Sequence, residues 1–221
     1  MRTLFSLILS FVILIISCRN TQNNKPNNTE ISSIETLDTI QIPAFAKSIS
    51  EASFSLTLDN IVYDPTYFNI KYPNGDVPAD KGVCTDVVIR TFRKLHIDLQ
   101  KEVHEDMQAN FSKYPKKWGL KKTDTNIDHR RVPNLMMFFS RHGQVKKNSE
   151  NGLDYMPGDI VSWDLGGGLT HIGIVVNKLS SDKKRYLIVH NIGRGQEISD
   201  CLFEYKITGH YFYTGKSAAN R

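Results

Sequence analysis

The chain of 221 residues has an ordinary globular composition, with 40% hydrophobic and 23% charged residues. Its 28 Lys and Arg against 23 Asp and Glu give a net charge of +5, which suits an anionic polymer as partner. No basic run is long enough to indicate nucleic-acid binding. Three cysteines are too few for a disulfide-rich scaffold.

The N-terminus is typical of an export signal. One arginine precedes an apolar stretch, residues 4–16, that is short for a membrane-spanning helix. The stretch ends in Ser17 and Cys18, which resembles the bacterial lipobox, whose cysteine is acylated. We therefore predict a lipoprotein signal peptide over residues 1–18 and a cell-envelope lipoprotein facing the periplasm or in the outer membrane. The alternatives are an ordinary signal peptide or a membrane anchor.

A polar segment follows the signal. Residues 19–52 are rich in Asn, Thr and Ser and indicate a disordered tether, although 40–52 is also compatible with a short helix lying on the domain. We predict one domain over residues 53–215 and a short tail, 216–221. We expect a monomer.

The first half of the domain is predicted to be helical. Apolar residues recur at helical spacing over 84–95, and Cys84 lies in the first turn, after a glycine-containing loop. Helix N-terminal N–H groups stabilise a thiolate, so Cys84 is a candidate nucleophile, with a small core residue as the alternative. Two more helices are predicted, over 98–114, ended by Pro115, and over 134–141, capped by Gly143.

The second half changes to short apolar runs with a period of two. These runs predict four strands, a glycine turn at 166–168 between the first two, and a tight turn at 181–183 between the second and third. An α+β domain follows, in which the Cys84 helix packs on an antiparallel meander or half-open barrel. The predicted strands span residues 159–165, 171–178, 185–192 and 207–214.

Two histidines lie on adjacent predicted strands. His171 opens the second strand and His190 ends the third, so antiparallel pairing brings them to one end of the sheet. A Cys–His pair with a third polar group is a thiol-peptidase arrangement. We expect His171 to form an ion pair with Cys84 and act as acid–base, and His190 to orient it. His210 is the alternative third residue, and a Cys84–Cys201 disulfide would remove the nucleophile.

Several motifs carry a resemblance to a known family. The order of the helix cysteine, PGDIV at 157–161, HIGI at 171–174 and His190 resembles the NlpC-type cell-wall peptidases, which have a circularly rearranged papain fold. More closely, the chain resembles DUF1287, a domain-of-unknown-function family in that clan. That resemblance rests on VCTDVVIR at 83–90, VHEDM at 103–107, NIDHRRVPN at 126–134, HNIG at 190–193 and GHY at 209–211.

The resemblance implies a papain-like cysteine peptidase or amidase acting on peptidoglycan stem peptides, without a cofactor. The sequence departs from the NlpC type at Cys84, which lies in VCTD where those enzymes typically have DCSG. This departure leaves open which bond is cut. The alternatives are a thiol hydrolase or acyltransferase on another amide or ester, and a non-catalytic wall-binding lipoprotein. His104-Glu105 lacks the second histidine of a metalloprotease helix, so no metal is expected.

Four further residues are candidates for substrate binding. Asp86 could bind an amine, or it could simply be a helix N-terminal charge. Arg130 could hold a stem-peptide carboxylate, or it could pair within its loop. Tyr67 and Tyr72 precede the nucleophile and could line the cleft, with core packing as the alternative for each.

Overall fold

A computed structural model describes residues 41–216. The predicted signal peptide with Cys18, the tether as far as residue 40, and residues 217–221 lie outside the described residues. The compact unit begins at Ile42, so folded structure starts before the predicted boundary at residue 53. Among the described residues, no helix combines the length and the apolar character needed to cross a membrane.

The described residues contain four α-helices, which lie mainly in the first half of the domain. The first helix, α1, lies in the segment for which a tether or a short helix was expected, and it buries Ala46 and Ile49. The next three correspond to the three predicted helices. The second of these three is shorter than predicted, since it ends at Ala109 and a separate 3₁₀ turn follows. The helices are α1 Ala44–Ser55, α2 Cys84–Lys94, α3 Leu99–Ala109 and α4 Val132–His142.

Within residues 41–216, eight strands form two sheets. A parallel pair of two-residue strands, β1 Val62–Tyr63 and β2 Lys81–Gly82, precedes α2. The remaining six form one antiparallel sheet in the order β3-β8-β4-β5-β6-β7. These strands are β3 Gln144–Val145, β4 Ile160–Gly166, β5 Leu169–Leu179, β6 Tyr186–His190, β7 Glu197–Ser199 and β8 Lys206–Phe212.

The α+β class and the four predicted strands are confirmed, but the strand order needs a correction. A meander describes β4 to β7 only, since β8 returns to pair with β4, where Ile160 lies opposite Tyr211. Chain order alone does not specify such a return. The glycine turn is as predicted, and all three glycines have positive φ values, a conformation that glycine adopts without steric cost.

The sheet separates two cores because successive side chains on a strand point to opposite faces. Ile172 and Ile174 face the helices and pack with Val88 and Phe92 of α2. Val175 points to the other face, in a second cluster with Trp163. The candidate site lies where α2 meets β5, between these two cores.

Candidate active site

The position of Cys84 follows from how α2 begins. The Asp86 carboxylate accepts a hydrogen bond from the Val83 backbone N–H at 2.7 Å, which caps the helix so that Cys84 is its first residue. Cys84 is only 8% exposed and belongs to the helix-side core. The nucleophile candidate is therefore a buried side chain at a helix N-terminus.

The Cys84 thiol meets β5 at its backbone. The Ile172 amide lowers the pKa of the thiol, which places Cys84 beside the residue that follows His171. The His171 imidazole packs against Trp163 on the far face, with ring centres 5.7 Å apart. Within residues 41–216, no hydrogen bond joins the thiol to either candidate histidine. The thiol lies on the helix side of β5, and the His171 imidazole lies on the other side.

The two histidines do bond to each other. His171 Nε2 lies 2.8 Å from His190 Nδ1, and both side chains are buried. Gly173 makes this contact possible, because a Cβ at that position would lie 2.7 Å from the Ile188 side chain and 3.2 Å from His190 Cβ. The pair uses Nε2 of His171, so Nδ1 is the nitrogen that remains for another partner.

A second layer of side chains surrounds His190. Its Nε2 lies 2.6 Å from Ser199 Oγ, 3.7 Å from Cys201 Sγ and 4.0 Å from Glu197 Oε1. None of these three was singled out as a contact of His190 from the sequence, because the short strand β7 that brings two of them there was not predicted. Cys84 and Cys201 are both free thiols, so the alternative disulfide is absent.

His210 belongs to a different cluster. Its Nε2 lies 2.7 Å from the Asp159 carboxylate, its Nδ1 lies 3.1 Å from the Lys147 carbonyl, and its ring stacks on Tyr155. Both nitrogens are occupied by these contacts. His190 is therefore the partner of His171, and His210 is not.

The predicted thiolate–imidazolium ion pair is wrong for this arrangement. Burial raises the pKa of Cys84 to about 12, and the amides of Ile172, Thr85 and Cys84 itself only partly oppose that effect. Burial, with His190 as a neighbour, lowers the pKa of His171 to about 3, and burial lowers the pKa of His190 to about 4. The helix N-terminus acts in the expected direction, but desolvation outweighs it. The resting groups are neutral.

Residues 50–213 match the family described as Domain of unknown function (DUF1287). The chain belongs to this family. It is also 54% identical to the uncharacterized protein YijF of Escherichia coli strain K12 over 153 residues, which cover 69% of this chain and 74% of that protein. The matched region of this DUF1287 chain contains Cys84, His171 and His190.

In this DUF1287 domain the two charged substrate-binding candidates bind each other. Arg130 donates from Nε and Nη2 to the two Asp86 carboxylate oxygens, each at 3.0 Å, and both residues are buried. Arg130 also donates to the Thr66 carbonyl, while its own carbonyl accepts from Thr85. The pair joins the first turn of α2 to the segment before α4. The two charges neutralise each other, so neither is free for a substrate here.

The two tyrosine candidates make their side-chain contacts with residues other than Cys84. The Tyr67 hydroxyl bonds to Asp124 and accepts from Asn126, and the Tyr72 ring packs edge-on against His104. Tyr67 therefore contacts the segment that connects α3 to α4, and Tyr72 contacts α3 itself. The structure thus brings neither hydroxyl into a contact with Cys84.

Tyr63 is the aromatic residue that the sequence reasoning missed. Burial raises the pKa of its phenol, and the nearby Cys84 and Asp86 raise it further, so the hydroxyl shares their electrostatic environment. Tyr63 is 40% exposed, and its backbone pairs with Gly82. Two-residue strands carry no periodic signal, so nothing in the sequence pattern pointed to it. Among the described residues, no cluster of three or more His, Cys, Asp or Glu side chains could hold a metal ion.

Proposed function

We propose that the protein is a lipid-anchored cysteine peptidase or amidase with a papain-like fold that hydrolyses amide bonds of peptidoglycan stem peptides. The supporting observation is the placement of three groups: the amide of Ile172, which follows His171, lowers the pKa of the Cys84 thiol, and His171 is held by His190 at 2.8 Å. A nucleophile at the start of a helix packed on an antiparallel sheet is the papain-like arrangement that the NlpC resemblance implies.

The chemistry begins from neutral groups. Nδ1 of His171 takes the proton of Cys84 as the thiol attacks the substrate carbonyl carbon, so the thiolate forms during the attack. For this step the thiol and the imidazole must first come into contact, since the thiol lies on the helix side of β5 and the imidazole on the other side. His171 then protonates the leaving amine, and water hydrolyses the resulting thioester. The Cys84 amide and the Tyr63 hydroxyl are the donors available to the oxyanion.

The substrate class follows from charge and anchoring. The net charge of +5 favours an anionic polymer over a basic one. Acylation of Cys18 would hold the domain at the membrane that faces such a polymer. Because Asp86 and Arg130 neutralise each other, recognition of the stem peptide does not use a free carboxylate at Asp86.

Purified full-length protein incubated with muropeptides provides the test, with products identified by mass spectrometry. We expect pairs of products whose masses add to the substrate plus one water, and we expect Cys84→Ser to form none. His171→Gln should lower the rate by about 10² to 10⁴-fold. His96→Asn is the matched control, since His96 is exposed with a positive φ that Asn tolerates. Equal product formation by wild type and Cys84→Ser contradicts the thiol mechanism.

A non-catalytic wall-binding lipoprotein is the second candidate. The raised pKa of Cys84 and the missing thiol–imidazole hydrogen bond favour it. In that case intact peptidoglycan pelleted by centrifugation should carry the protein down, equally for wild type and Cys84→Ser, while no muropeptide is cleaved. Cleavage by wild type alone rejects this candidate.

A further inference from the structure

The bond between His171 and His190 requires one nitrogen to donate and the other to accept. Both imidazoles are neutral in their buried setting, so each carries one proton. If His190 is protonated on Nε2, its Nδ1 accepts from His171 Nε2–H, and Nδ1 of His171 keeps a lone pair. If His190 is protonated on Nδ1, it donates to His171 Nε2, and His171 Nδ1 carries the proton. Only the first arrangement leaves His171 able to act as a base.

The surroundings of His190 Nε2 decide between these arrangements. Glu197 lies opposite His190 in the β6–β7 ladder, and its carboxylate at 4.0 Å can only accept when ionised. The Ser199 hydroxyl at 2.6 Å can accept or donate. Its hydrogen has the Cys201 sulfur as a neighbouring acceptor, since Cys201 Sγ lies 3.7 Å from the same His190 nitrogen and the Ser199 side chain lowers the pKa of Cys201. An oxygen that donates to Cys201 is left to accept from His190.

We propose that Ser199 is a positioning residue that holds His190 in the Nε2–H form and thereby leaves the Nδ1 lone pair of His171 free. The chain of donors then runs in one direction, from His171 through His190 to Ser199 and Cys201. No bond is made or broken in this chain. Ser199 acts through two imidazoles and touches no reacting atom.

The catalytic meaning of this proposal rests on the proposed thiol hydrolase function, but the tautomer itself does not. Neutral histidine tautomers are distinguished by NMR, because protonated and unprotonated ring nitrogens have separate ¹⁵N shifts and different couplings to the ring protons. The spectrum of full-length ¹⁵N-histidine-labelled protein at pH 7 therefore tests Ser199 whether or not the protein cleaves anything. Signals are assigned with His171→Gln and His190→Gln.

In wild type we expect both His171 and His190 to be protonated on Nε2. Ser199→Ala should shift His190 toward the Nδ1–H form, and Ser199→Thr, which keeps a hydroxyl, should restore the wild-type spectrum. Ser140→Ala removes an exposed serine hydroxyl on α4 and should change neither signal. A wild-type His190 protonated on Nδ1, or a Ser199→Ala spectrum identical to wild type, overturns the proposal.

Measuring muropeptide cleavage by the Ser199 variants separates this proposal from the proposed function. If muropeptides are cleaved, Ser199→Ala should lower kcat by about 10 to 100-fold at unchanged KM, in proportion to the fraction of correct tautomer, and Ser199→Thr should recover it. If wild type cleaves nothing, the hydrolase proposal fails while the NMR result still decides the tautomer. Cleavage that is unaffected by Ser199→Ala contradicts the positioning role alone.

Discussion

His171 and His210 are both buried on the same sheet, but they differ in whether a ring nitrogen remains without a hydrogen-bond partner. His210 is held between the Asp159 carboxylate and the Lys147 carbonyl, so both ring nitrogens already have a partner. His171 is held only through Nε2, by another imidazole. Within residues 41–216, Nδ1 of His171 has no hydrogen-bond partner.

The difference separates a structural histidine from a candidate catalytic one. Asp159 also receives the Lys146 ammonium at 2.6 Å and the Met156 amide, so His210 is one part of a saturated network. Such a network fixes the loop before β4. In the part of the chain that the structure describes, no hydrogen bond joins the His171–His190 pair to a carboxylate, since Glu197 Oε1 lies 4.0 Å from His190 Nε2, and burial keeps the pair neutral.

Comparing the alanine substitutions of His190 and His210 tests this contrast most strongly. His190→Ala should lower muropeptide cleavage by about 100-fold or more, because His171 loses the group that orients it. His210→Ala should keep the activity of each folded molecule but lower the free energy of unfolding by about 2 to 3 kcal/mol, since a buried charged hydrogen bond is lost. Urea unfolding and cleavage rates measure the two effects. An inactive but stable His210→Ala protein would reverse the assignment.

Lowering the pH should decrease the free energy of unfolding by a few kcal/mol. The folded pKa values of His171 and His190, about 3 and about 4, lie below the ordinary value of 6.5. The unfolded chain therefore binds more protons between pH 6.5 and 4, and stability is lost as pH falls through that window. Each histidine contributes about 1.4 kcal/mol per pH unit there.

Urea unfolding at pH 7.5 and pH 5 measures this dependence. The double variant His171→Gln/His190→Gln should lose less stability between these two pH values than wild type. His96→Asn should lose as much as wild type, since His96 is exposed. Parallel pH dependences in all three proteins would show that the pair is not held neutral.

Crowding at Gly173 should produce the smallest effect. Gly173→Ala places a Cβ 2.7 Å from Ile188 Cγ2 and 3.0 Å from the Val189 carbonyl, so β6 must shift at about 1 to 3 kcal/mol. The shift should lengthen the His171–His190 bond and lower cleavage. Gly167→Ala is the control, because no atom lies within 4 Å of a Cβ there and only the positive φ is strained. Wild-type cleavage by Gly173→Ala would show that the pair tolerates displacement.

Local sequence patterns predicted the helices, the strands and the meeting of two distant histidines. Apolar spacing over 84–95 predicted α2 with Cys84 in its first turn, and alternation predicted β4, β5, β6 and β8 to within a few residues. Both signals are local, because helical and extended backbones expose side chains at fixed intervals. A tight turn between two predicted strands then sufficed to bring His171 beside His190.

The state of the site depends on contacts that form only when the chain folds. Asp86 and Arg130 were predicted as separate contacts for a substrate, and folding joins them across 44 residues into one neutral pair. Burial then overrides the helix N-terminus at Cys84, because desolvation depends on everything packed around the thiol. Ser199 reaches His190 through a three-residue strand, which is too short to leave a period in the sequence.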